Sequence, residues 1–165
     1  MNIAYFNSII AQLNGLTAQL NAIDSEVNGL LADASSCQAL EALVIQAAEY
    51  LAASSTELTA ISTKATGDIA TMQSDITAAL AYLAPIAAFI ESPPTTPTAV
   101  MNCVVAMLNT YAGPYNKLVL QEAVLVTELG RITDAVTEAS AAIASTLSTL
   151  NAAINMKQVA MGCVI

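Results

Sequence analysis

FNSIIAQ LNGLTAQ LNAIDSE VNGLLAD, residues Phe6 to Asp33, is four consecutive heptads. The first position of each carries Phe6, Leu13, Leu20 and Val27, and the fourth carries Ile9, Leu16, Ile23 and Leu30. Apolar residues alternating at spacings of three and four return to one side of an α-helix and give the seam along which helices supercoil left-handedly. The eight residues predict a helix that associates with others, and they are the expected oligomerisation seam. Ile3, Ile10 and Leu31 widen the apolar stripe at its ends, towards what a bundle requires.

Asn7, Asn14, Asn21 and Asn28 follow the first position of each heptad. Asparagine is a middling helix former, and Gly15 and Gly29 each cost about 1 kcal/mol against alanine inside a helix. Packing along the seam, rather than local propensity, has to hold this helix. The asparagine row reads as a solvated face repeated by duplication, with a hydrogen-bonded ladder as the alternative. The stretch LNGLTAQLNAIDSEVNGLL resembles the coiled coils of tailed-phage fibres and other virion proteins. The resemblance covers the first 33 residues and has no motif, so it implies a self-associating structural role and transfers no functional residue.

Outward from this segment the heptad phase is lost at Ala34, Ser35 and Ser36, which predicts a break. A second helix is expected from Gln38 to Ile90, with Gly67 and Pro85 as weak points and a kink or interruption at the proline. Unbroken, it would extend about 75–80 Å and favour a rod. SPPTTPT, Ser92 to Thr98, is the clearest loop, because its prolines cannot continue a helix. A short helix from Thr98 to Thr110 and a second break at Ala112, Gly113 and Pro114 follow. The last helix is expected from Tyr115 to Met156, with Leu125, Leu129, Ile132, Val136, Ile143, Leu147, Leu150 and Ile154 as its seam. The spacing of Ala139, Ile143 and Leu147 predicts a stutter. The segments are thus 1–33, 37–111 with the loop at 92–98, 115–157 and a tail at 158–165, acting as one structural unit.

Charge marks one zone off from the rest. Between Asp75 and Lys117 the only charged residue is Glu91. Ile76 to Ile90 and Ala99 to Leu108 are nearly continuous apolar runs, each short of the about 20 residues that span a bilayer. They predict an apolar helical hairpin around the proline loop, with Leu80, Leu83, Ile86, Phe89, Val104 and Leu108 as its apolar contacts.

Composition agrees with an all-α protein of long helices, forming a coiled coil or elongated bundle with that hairpin in its middle. Apolar residues make up 56% and charged residues 10%, and the apolar excess is largely alanine. The net charge is −9, and the four basic residues are scattered. Phosphate neutralisation needs clustered Lys and Arg, so no nucleic-acid partner is expected, and anionic membranes are disfavoured on the same ground. The start lacks the basic residues of a secretory signal or transit peptide, so the chain is expected either to bypass that route or to be already mature.

The sequence contains no histidine. That removes Ser-His-Asp and Cys-His nucleophilic sites, HExxH zinc sites and Glu-x-x-His di-iron sites. The six glycines match no phosphate-cradling loop. Glu41, Glu49 and Glu57 nearly align along one helix face and read as a solvated acidic stripe rather than a metal site. Cys37, Cys103 and Cys163 match no zinc spacing or disulfide framework and read as buried or free thiols. A helix returning from Tyr115 would nevertheless bring Cys163 nearer to Cys37 than to Cys103.

No enzyme, metal or cofactor is expected. The chain reads as a non-enzymatic structural or assembly protein that self-associates or packs on other structural subunits, in a virion or another extracellular assembly. The alternative is a membrane-active or apolar-ligand-binding bundle that uses the hairpin at 76–108. That layout resembles α-helical pore-forming toxins, but basic and Trp interfacial anchors are missing.

Overall fold

In a computed structural model that describes residues 3–91 and 98–163, the chain is all-α, with helices α1 (Ile3–Asp33), α2 (Cys37–Glu91) and α3 (Thr98–Met161) and no strand among the described residues. The break after α1 falls at Ala34–Ser36, where the heptad phase ends. There the Ser36 hydroxyl accepts a hydrogen bond from the Ala39 amide at 3.1 Å, and its carbonyl accepts from the Leu40 amide at 3.0 Å. Ser36 is therefore the N-cap of α2 and satisfies one of the amides that a helix start leaves unpaired. Most of the proline-rich loop, residues 92–97, lies outside the described residues.

The second break expected at Ala112–Pro114 does not occur. α3 runs unbroken through Pro114, and α2 runs through Pro85. A proline inside a helix removes one main-chain hydrogen bond and crowds the carbonyl four residues earlier, at a cost of about 3 kcal/mol. Both prolines and the residues four before them, Ala81 and Thr110, are exposed. Water can therefore solvate the carbonyls left without a partner, and the long helical runs on either side hold the segment in register.

α3 also passes the expected end at Met156 by more than a turn. Its stop is a Schellman motif: the Gly162 amide donates to the Val159 carbonyl and the Cys163 amide to the Gln158 carbonyl, with Gly162 at φ 68°. A left-handed residue is required at this position, and glycine adopts that conformation without a steric cost. The motif presents Cys163 to the start of α2, where it forms a disulfide with Cys37, the Cα atoms 5.5 Å apart. The expectation of unbonded thiols at these two positions is thus corrected. Spacing rules register local cysteine motifs, whereas this pair is 126 residues apart in sequence.

The chain divides into two compact units. One holds residues Asn2–Ala65 and Arg131–Ile165, that is α1, the first part of α2 and the last part of α3. Its core is Phe6, Leu13, Leu16 and Leu20 from α1, Leu40, Ala47, Leu51 and Leu58 from α2, and Ile132, Ala139, Leu150 and Ile154 from α3. The other holds Thr66–Gly130, the remainder of α2 and α3, and buries Ile69, Ile76, Leu83 and Leu125. Glu128 is buried in that unit, and among the described residues no buried side-chain nitrogen or oxygen lacks a hydrogen-bond partner.

Candidate interaction surface

The seam of α1 serves the chain's own core. Phe6, Ile9, Leu13, Leu16 and Leu20 are buried within a single chain. Beyond Leu20 the stripe drifts: Ile23 and Val27 are half-buried, Leu30 is 43% exposed, and Leu31 is buried in its place. A helix of 3.6 residues per turn drifts about 20° per heptad against a strict seven-residue repeat, and one residue's shift by the fourth heptad is that drift. Asn7, Asn14 and Asn21 are exposed, as a solvated face requires, and Asn28 is half-buried.

On α3 the buried stripe is Leu125, Glu128, Ile132, Ala135, Ala139, Thr146, Leu150 and Ile154. The sequence-derived seam runs partly beside it. Leu125, Ile132, Leu150 and Ile154 are shared, Leu129, Val136 and Ile143 flank it half-buried, and Leu147 is 47% exposed. Thr146 takes the inward position expected of Leu147. In the apolar hairpin, Leu83 is buried while Leu80, Ile86 and Leu108 are half-buried. The side chains of Phe89, Val104 and Cys103 lie outside the described residues.

Basic side chains fasten the three-segment unit at separate points. Lys64 donates to the Tyr5 hydroxyl at 3.2 Å, and its ammonium stands 5.2 Å from the centroid of the Tyr5 ring. A cation over the negative face of an aromatic ring is attracted by its quadrupole. Arg131 donates to Asn7 Oδ1 at 3.3 Å, which gives one member of the asparagine row a partner. Lys157 donates to the main-chain carbonyl of Ala32 at 2.8 Å. Glu41, Glu49 and Glu57 are exposed, and among the described residues no group of three or more acidic or cysteine side chains is placed to hold a metal ion.

Among the described residues, a candidate surface for a partner lies in the Thr66–Gly130 unit. Val105, Ala112, Val119 and Val126 recur at multiples of seven on α3, with Asn109, Asn116, Ala123 and Gly130 four residues after each. This is a second heptad-spaced row, about 32 Å long from Val105 to Val126. Unlike the seam of α1 its valines face outward: Val126 is 59% exposed and Val105 and Val119 are also exposed, with Ala112 half-buried; Leu120, next to Val119 in sequence, is 67% exposed. Its positions are small or polar enough that hydrophobicity alone did not mark it. Beside the row, exposed Thr127 turns its hydroxyl onto the carbonyl of Ala123, which satisfies the hydroxyl within the helix.

A concavity of about 180 Å³ lies between α1 and α2, lined by Ile23, Val27, Leu30, Leu43, Ala47 and Tyr50 together with the polar side chains of Glu26 and Gln46. It opens where the α1 stripe drifts and the facing residue, Ala47, is small. Among the described residues, no helix is long and apolar enough to cross a membrane. No protein-family model, curated protein or solved structure matches this chain.

Proposed function

We propose that the chain is a non-enzymatic structural subunit that associates with copies of itself or with neighbouring subunits through the outward row of α3. The carrying observation is the exposure of Val105, Val119, Leu120 and Val126 on one helix with few charges beside them. Contiguous apolar surface is normally covered in a soluble protein, and heptad-spaced rows suit a partner helix. Few like charges need to be brought together, which matters for a chain of net charge −9. The disulfide supports a virion or other extracellular setting, because such bonds persist where thiols are not kept reduced. Neither nucleic acid nor cofactor enters this reading.

Light scattering after gel filtration tests it. The natural chain should elute as a defined multimer, and Val119→Asp with Leu120→Asp should lower its mass while leaving the helical circular dichroism unchanged. A monomeric natural chain would sink the proposal. The α1–α2 groove favours a second reading, an apolar-ligand carrier, for which organic extraction of the purified protein should yield a bound small molecule.

A further inference from the structure

Ile154 is the last buried side chain on α3. Beyond it Met156 and Val159 are 68% and 84% exposed, and no residue from Asn155 to Cys163 is buried. From Asn155 to Cys163 the end of α3 therefore has no buried apolar anchor in the three-segment unit. Two contacts take its place, the Lys157 hydrogen bond to Ala32 and the Cys37–Cys163 disulfide. Cys37 is exposed and Cys163 half-buried, so a thiolate in solution has a path to the bond.

We propose that the Cys37–Cys163 bond is a redox-operated latch that holds residues 155–163 onto the unit and frees them on reduction while the core stays folded. A dithiol reductant attacks Cys37 Sγ as its thiolate, forms a mixed disulfide and expels Cys163 as a thiolate, which takes up a proton. The reductant's second thiolate then attacks its own sulfur in the mixed disulfide and leaves Cys37 as a thiolate, which is protonated in turn. Two electrons pass to the protein's sulfurs, and the reductant ends as its own disulfide. With the covalent tie gone, the Lys157–Ala32 hydrogen bond and the partial burial of Lys157, Gln158 and Met161 are left to hold a helix end that has no fully buried side chain. Fraying would withdraw Lys157 from Ala32 and open the groove that Leu31 shares with Ala153, Met156 and Ala160.

Lys157 makes this testable, because trypsin cuts after it and local opening governs the rate. In a Cys103→Ser background, reduction with dithiothreitol should accelerate cleavage at Lys157 about tenfold or more and leave Lys64 and Arg131 as slow as before. Adding Cys37→Ser and Cys163→Ser should give the fast rate at Lys157 with or without reductant. The natural chain with Cys103 alkylated provides the same comparison if the serine variant folds poorly. An unchanged rate at Lys157 would overturn the latch, as would equal acceleration at all three sites, which would make the bond a support of the whole unit. Alkylation of Cys37 and Cys163 in the unreduced protein would overturn it as well.

Discussion

Lys157, near the end of α3, donates a hydrogen bond to the main-chain carbonyl of Ala32, one residue before the end of α1. The last four carbonyls of a helix have no partner within it and bear the negative end of its dipole. α1 has no basic residue in its own last turn. A cation from a segment 125 residues away supplies what the helix lacks.

Lys157→Met keeps the stem and removes the charge and the donor. It should lower stability by about 1 kcal/mol, the sum expected of a charge at a helix end and a partly exposed hydrogen bond. The shift should be read from the urea midpoint and should shrink in high salt. Lys117→Met, at an exposed position, should change stability by less than about 0.5 kcal/mol.

The drift of the α1 stripe has a direct mutational signature. Leu13→Ala opens a cavity at a fully buried site and should cost about 2–5 kcal/mol. Leu30→Ala, at a position the heptad pattern treats as equivalent, should cost less than about 1 kcal/mol because the side chain is already partly in water. Equal losses, measured by chemical denaturation, would mean that the seam keeps its strict period and that Leu30 is covered.

Gly15 and Gly29 sit inside α1, and apart from the adjoining helix backbone and chain neighbours nothing lies within 4 Å of where a β-carbon would stand. Neither makes a close approach that needs glycine. Gly15→Ala and Gly29→Ala should each stabilise the protein by about 1 kcal/mol through helix propensity, and the double variant should show nearly the sum. Thermal melts followed at 222 nm would reveal a loss if either glycine served an unseen contact.

The helical class, the first break and the extent of α2 were legible in the residues, because apolar spacing and the lost phase at Ala34–Ser36 are strong signals. What escaped had physical causes. Ala47, Ser54, Ala135, Ala139 and Thr146 line the core, yet small or hydroxylated side chains leave no mark in a hydrophobicity pattern. Leu147 drew the α3 seam towards itself because a large residue at an almost correct position outweighs a threonine beside it. Pro114 was read as a stop because sequence registers the missing amide, whereas water at an exposed helix face is a property of the fold. Gly162 was the signal for the true end of α3, and its Schellman geometry is what delivers Cys163 to Cys37. The outward row from Val105 to Val126 alternates valine and alanine with asparagine, alanine and glycine, so it resembles ordinary helix surface until its exposure is known.

Closing a bond between residues 37 and 163 turns most of the polypeptide into a covalent circle, with α1 as its one long free arm. Every peptide bond of the Thr66–Gly130 unit lies on that circle. A protease that nicks the unit once therefore severs nothing: the pieces remain one molecule of unchanged mass but for an added water. Such damage stays hidden on a non-reducing gel and appears only when a thiol is added. A chain exposed to proteases in an oxidising setting keeps its continuity by this route.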